Sequence, residues 1–199
     1  MTREIMNDIL IASQNAHKID EIRPVLEQYG FSVTDARSHH LIEPVEDGGT
    51  FIANARIKAV AACEAVNIAV LADDSGLVID ALGDFPGVET APYAKEIGGY
   101  PAAVADIFKR LDGRPSDCHY VCILILRFPN GQEIVATGKV HGVLQREPRG
   151  TGTFGFDPWF QIAGRQETFA EISAEEKSTI SHRGQALRDL AAQLQKQFG

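Results

Sequence analysis

Cysteine is scarce in this chain and does not pair off. Among 199 residues there are three, Cys63, Cys118 and Cys122. An odd, sparse set excludes a disulfide framework and fits a reducing compartment, the cytoplasm. Cys118 and Cys122 lie four apart in a β-prone run, so they share a face. With only His119 close by as a further ligand, they read as buried thiols rather than a zinc site. Long hydrophobic runs are missing as well. None approaches the ~20 residues of a membrane span, and the start Met1-Thr2-Arg3-Glu4 has no signal-type apolar core. Basic runs are absent too. The net charge of −8 disfavours nucleic acid as a partner, while a small phosphorylated ligand needs only a few local cations. No internal repeat, low-complexity tract or linker interrupts the chain, so residues 1–199 are read as one domain.

What is present alternates between strand and helix signals. Ile9 to Ala12 reads as a first strand, followed by a polar loop over Ser13-Gln14-Asn15-Ala16-His17-Lys18. Ile19, Ile22, Leu26 and Tyr29 recur at helical spacing, with Gly30 as the stop. Phe31 to Thr34 alternates like a strand. Thr50 is placed to cap a helix through Asn54, Lys58 and Ala62. Ala69 to Ala72 reads as a short buried strand ending in a turn, Asp73-Asp74-Ser75-Gly76, with another short strand over Leu77 to Leu82. Gly83 to Gly99 reads as a surface loop, and Ala102 to Leu111 as a helix. His119 to Phe128 and Glu133 to Val143 form a hairpin about Pro129-Asn130-Gly131. A closing helix starts near Ser181, with Leu187, Leu190 and Leu194 on its apolar face. This pattern gives a mixed sheet with flanking helices.

Several polar groups stand out. Asp73 and Asp74 are like charges side by side at the end of a strand, where open α/β sheets place their chemistry. Hard oxygen donors of this kind suit Mg²⁺ or Mn²⁺. Glu46 adds a carboxylate that could join Asp74 at a cation; Asp47 beside it is the alternative. Ser13-x-Asn15-x-x-Lys18 sits between a strand and a helix, where backbone N–H groups attract anions, although it lacks the glycines of a Walker A loop. Asn54 and Lys58, at i and i+4, share a helix face. Phe154-Gly155-Phe156-Asp157 joins flexible backbone to aromatic surface that can stack on a base. Lys177, His182 and Arg183 are donors near the last helix.

Together, Ser13-x-Asn15-x-x-Lys18, Thr50-Phe51-x-x-Asn54-Ala55-x-x-Lys58-Ala59, Ala72-Asp73-Asp74-Ser75-Gly76-Leu77, Phe154-Gly155-Phe156-Asp157-Pro158 and Glu176-Lys177-Ser178-x-x-Ser181-His182-Arg183-Gly184 resemble, in order and spacing, the non-canonical purine nucleoside triphosphate pyrophosphatases, the inosine/xanthosine triphosphatases. The resemblance implies an elongated mixed α/β fold with two lobes around a central active-site cleft. It also implies cleavage of ITP, dITP or XTP to the monophosphate and pyrophosphate, a Mg²⁺ requirement (or Mn²⁺) and a homodimer. Carried over by motif, Ser13, Gln14, Asn15, Ala16, His17, Lys18 and Lys58 would hold the triphosphate. Asp74 would hold metal with Glu46 and act on the attacking water. Ser75 would touch substrate, and Phe154, Gly155, Phe156, Asp157, Lys177, His182 and Arg183 would form the base and sugar pocket. The chain departs from the family pattern at Ser13-Gln14, where Thr-Gly is common, and at Pro92, where an Arg often precedes the Tyr. Two other readings remain at this level: a septum-inhibitor-like nucleotide pyrophosphatase, and a nucleotide-binding sensor without catalysis.

Overall fold

The computed structural model describes residues 8–152 and 154–198. Met1 to Glu4, read as lacking a signal-type apolar core, and Thr153 in the glycine-rich loop lie outside the described residues. The elements run β1 (Asp8–Ile11), α1 (Ala16–Gln28), β2 (Ser32–Asp35), α2 (Phe51–Val66), β3 (Ala69–Ile79), β4 (Phe85–Pro86), α3 (Thr90–Glu96), α4 (Tyr100–Leu111), β5 (Asp117–Arg127), β6 (Glu133–Leu144), β7 (Phe160–Ile162), α5 (Ala174–Ile180) and α6 (His182–Phe198). The sheet order is β2-β1-β3-β5-β6-β7, with β4 paired to β3. β1 pairs in parallel with β2 and β3, while β4 and β7 join antiparallel. The expected mixed sheet with flanking helices is what forms. Among the described residues, no helix is long and apolar enough to cross a membrane.

Contacts divide the chain into two compact units. The first holds residues up to Asp74, Cys122–Gly138 and Arg183 onward. The second holds Ser75–Val121 and Lys139–His182. In the first, the period-2 alternation of β-strands decides what packs where. Ile9, Ile11, Ala69 and Leu71 face one way and pack with Ile19, Ile22 and Leu26 of α1 and Leu187, Leu190 and Leu194 of α6. Leu10, Ala12, Val70 and Ala72 face the other way and pack on Ala55, Ala59 and Ala62 of α2. The alanine stripe lets that helix approach the sheet closely. The core of the second unit is more aromatic, with Tyr93, Tyr120, Phe156, Trp159, Phe160 and Phe169.

Three expectations change. Asp73-Asp74-Ser75-Gly76 is not a turn: β3 runs unbroken for 11 residues, and ten of these are buried. By hydropathy the apolar run ends at Ala72, but the polar residues that follow are paired with charges from elsewhere in the fold. The polar loop after β1 is shorter than expected. Ala16, His17 and Lys18 form the first turn of α1 because the Asn15 side chain accepts the N–H groups of His17 and Lys18. Residues 83–99 are not a surface loop. They hold β4 and α3, with Thr90, Tyr93 and Ala94 buried. Thr90 anchors that segment, its hydroxyl accepting the Leu77 N–H at 2.9 Å and donating to the Gly87 carbonyl at 2.6 Å. Cys118 and Cys122 are buried free thiols, as read.

The β6–β7 seam leaves no room for a side chain at Gly142. A Cβ there would lie 2.3 Å from the Gln161 carbonyl oxygen and 2.6 Å from the Phe160 ring. Gly142→Ala is therefore expected to destabilise the protein by roughly 1–3 kcal/mol, read as a lowered midpoint in urea unfolding at unchanged m-value.

Candidate active site

In the first unit, alternation along β3 sends its two carboxylates to opposite faces of the sheet. Asp73 follows Leu71 toward α1 and α6, where Lys18 Nζ lies 2.9 Å from its Oδ2 and Arg183 Nη2 lies 3.6 Å away. Arg183 also bonds Glu21 of α1, a residue the sequence reading did not single out. Burial opposes charge on Asp73, but Lys18, Arg183 and Lys58 outweigh it and hold this carboxyl well below the usual carboxylate range. The Arg183 guanidinium, 2% exposed, stays charged between two carboxylates. Cys122 lies in the same buried surroundings, and its thiol is pushed up to about 12, first by desolvation.

Asp74 follows Ala72 toward α2. Lys58 Nζ lies 3.8 Å from its Oδ1 and 3.0 Å from Glu46 Oε2. Here burial wins. Desolvation, with the neighbouring Glu46 and Asp73 charges, pushes Asp74 up to about 6 against the pull of Lys58 and Lys18. Burial works against the Lys58 charge too, yet Asp73, Asp74 and Glu46 raise its pKa. Two neighbouring aspartates thus have opposite titration behaviour, the pattern that separates a fixed charge from a proton acceptor. Of Glu46 and Asp47, Glu46 is the one that reaches Lys58. Its segment is held by Asn54 of α2, whose Oδ1 accepts the Gly48 N–H at 2.9 Å. Asn54, 3% exposed, therefore anchors the acidic segment rather than facing solvent.

The rest of the first motif is tied down locally. Ser13 Oγ accepts the Asn15 N–H. Gln14 donates to Glu43 through its backbone N–H and to the Leu41 carbonyl through its side chain. Ala16 and His17 are exposed. A cavity of about 310 Å³ borders Lys58, walled largely by Ala12, Ala36, Leu41, Pro44 and Ala62. Glu43 and Lys58 are the charged residues in its wall.

The second unit gathers a different group. Lys177 Nζ donates to Asp157 Oδ2 at 2.6 Å and lies 5.2 Å from the centre of the Phe154 ring. His182 stacks on Tyr120, with ring centroids 4.6 Å apart and planes within 8°. Phe156 is wholly buried and meets Tyr100 edge to face at 5.0 Å. Gly155 takes a left-handed turn at φ +61, a backbone state that favours glycine. Phe154 and Ser75 are half-buried. Of the residues expected to form a base and sugar pocket, Phe154, Gly155, Phe156, Asp157, Lys177 and His182 thus belong to this unit, and Arg183 to the first. Sequence reasoning missed Tyr120 and Tyr100, which support the group. Aromatics inside a β-strand or at a helix start give no signal of what they stack against.

The Ham1 family model matches residues 9–193. The chain belongs to the Ham1 family. It is 41% identical to the dITP/XTP pyrophosphatase of Zymomonas mobilis, over 92% of this chain and 90% of that protein. It is 38% identical to the dITP/XTP pyrophosphatase of Corynebacterium glutamicum strain R, over 94% and 96%. Among solved structures, a HAM1 protein from Coxiella burnetii superposes with a TM-score of 0.88 at 34% identity, covering 96% of this chain and all of that one. A nucleoside-triphosphatase / dITP/XTP pyrophosphatase from Mycobacterium abscessus gives 0.76 at 36%, covering 96% and 99%.

The raised pKa of Asp74 has a thermodynamic consequence for this Ham1 chain. A carboxyl at about 6 in the native state and near 3.9 unfolded loses stability as pH rises through that window, because the unfolded chain releases its proton first. Asp74→Asn removes the penalty. In chelator-treated protein it should raise unfolding free energy by about 2 kcal/mol at pH 8, with the gain fading toward pH 4. Thermal melts across that range check it, and a destabilised variant at pH 8 would contradict the assignment.

Proposed function

We propose that this protein hydrolyses non-canonical purine nucleoside triphosphates (ITP, dITP and XTP) to the monophosphate and pyrophosphate. The observation that carries this reading is the divided Asp73–Asp74 pair: one carboxylate locked in ion pairs, the other raised to about 6 beside Lys58 and Glu46. The names of the Ham1 relatives supply the substrate class. Asp74 accepts a proton from the water attacking the α-phosphorus, a task for which its raised basicity suits it near neutral pH. Lys58 and Lys18 offset charge on the departing pyrophosphate. Ser13 and Asn15 fix the start of α1, so that Lys18 emerges at a defined position.

The donors fit a hard divalent cation. Asp74 and Glu46 converge within 4 Å of one ammonium, and the desolvated Asp74 favours added positive charge. These two carboxylates would hold Mg²⁺, which supplies charge neutralisation on the phosphate oxygens. In the second unit, Lys177, itself paired with Asp157, and His182 are the side chains we assign to a 6-oxo purine, with Phe154 as an apolar face. A donor left unpaired by an amino group at that position discriminates strongly. Arg183 is held in place by Glu21 and Asp73. The family resemblance further supports a cytoplasmic homodimer.

The test is a product assay over a nucleotide panel with and without Mg²⁺. Pyrophosphate is expected as the first product from dITP and XTP, with ATP, which carries an amino group at position 6, turned over more slowly. Orthophosphate as the first product overturns the proposal. Asp74→Asn should lower kcat by roughly 10²–10⁴-fold with an unchanged circular dichroism spectrum.

A further inference from the structure

Hydrogen bonds at both ends of the β5–β6 hairpin fix one register. The Phe128 N–H donates to the Gln132 carbonyl and the Leu144 N–H to the Ser116 carbonyl. No net bulge intervenes, so His119 lies directly opposite His141, an odd number of residues from each bonded pair. That makes it a non-hydrogen-bonded position, where Cα atoms approach to about 4.5 Å and side chains stand closest. The two imidazoles lie with centroids 5.4 Å apart and planes tilted by 42°. Neither ring takes part in the site described above, and both belong to the second unit.

We propose that His119 and His141 chelate a borderline divalent transition ion, Zn²⁺ being the representative case. Two imidazoles bonded at ~2.1 Å to one tetrahedral ion place their ring centres roughly 5 Å apart, close to the observed spacing. Asp80 Oδ1 lies 3.2 Å from His119 Nδ1, and that nitrogen is shut off from solvent. That nitrogen has no hydrogen bond as it stands, and a small shift of the exposed Asp80 side chain would supply one, leaving Nε2 as the metal-facing atom, the arrangement that orients histidine ligands elsewhere.

Asp80 and Asp84 act on His119 from the turn segment, Lys139 and His141 from β6. Lys139 is the strongest single charge on the ring, and Asp80 and Asp84 oppose it. Burial first, then Lys139, keeps the His119 pKa below its ordinary value, so the ring is neutral and ready to ligate. Imidazole donors prefer Zn²⁺, Ni²⁺ and Cu²⁺ to Mg²⁺, so this site does not draw on the ion required at Asp74. Among the described residues no three His, Cys, Asp or Glu side chains are already grouped around a metal position. The protein therefore supplies two nitrogens and water fills the rest.

Zn²⁺ titration of the full chain by calorimetry tests this, in saturating Mg²⁺ and in the Asp74→Asn background to silence the carboxylate site. One Zn²⁺ per chain is expected, weakened at least about tenfold by His141→Ala and equally by His119→Ala. Co²⁺ in place of Zn²⁺ should give visible absorption that either substitution abolishes. His141 is exposed, so its variant is expected to keep the parent melting curve. Unchanged Zn²⁺ affinity in both variants, or loss in only one, overturns the proposal. The outcome is independent of whether the protein cleaves nucleotides.

Discussion

Two aspartates adjacent in sequence point to opposite faces of one strand, and the chemistry of the first unit depends on that alternation. Placed in a turn, the pair would share solvent and a cation. Placed in β3, each meets a different helix layer. Asp73 enters the layer built by α1 and α6 and receives Lys18 and Arg183. Asp74 enters the layer built by α2 and receives Lys58, with Glu46 beyond it. Burying a carboxylate costs several kcal/mol unless it is paired. The count of partners therefore sets the outcome: three cations dominate at Asp73, while at Asp74 burial and two carboxylates prevail over two cations.

The helices supply these cations for reasons visible in their own sequences. Asn15 caps α1 and fixes the turn from which Lys18 projects. Thr50 caps α2 by accepting the Ala53 N–H, and the alanine stripe seats that helix close to the sheet. Lys58 consequently has 8% side-chain exposure and few alternatives to the carboxylates in front of it. Asn54, one turn earlier, holds the segment that carries Glu46. One helix therefore positions both the ammonium and the second carboxylate.

Most of the fold was legible from periodicity: β1, α1, α2, the β5–β6 hairpin and α6 stand where the apolar spacing places them. The misreadings share a cause. Hydropathy sees Asp73 and Asp74 as the end of a strand, because the charges that permit their burial come from α1, α2 and α6. Glu21 looks like any helix-surface acid, since its partner Arg183 is 162 residues away. The Gly- and Pro-rich stretch around α3 looks like loop until Thr90 is seen bonded to β3. The motifs singled out the polar residues of the candidate site, but could not show that Arg183 keeps company with Asp73 or that His182 rests on Tyr120.

Cys122 gives this arrangement a built-in chemical reporter. Its thiol is wholly buried in the core, within reach of the charges of Arg183, Asp73 and Lys18, and pushed up to about 12 it holds almost no thiolate at neutral pH. A thiol reagent can modify it only in molecules whose core has opened, which also parts the neighbouring ion network. The labelling rate at this position therefore measures how often the buried charges come apart, a quantity that neither turnover nor melting temperature isolates.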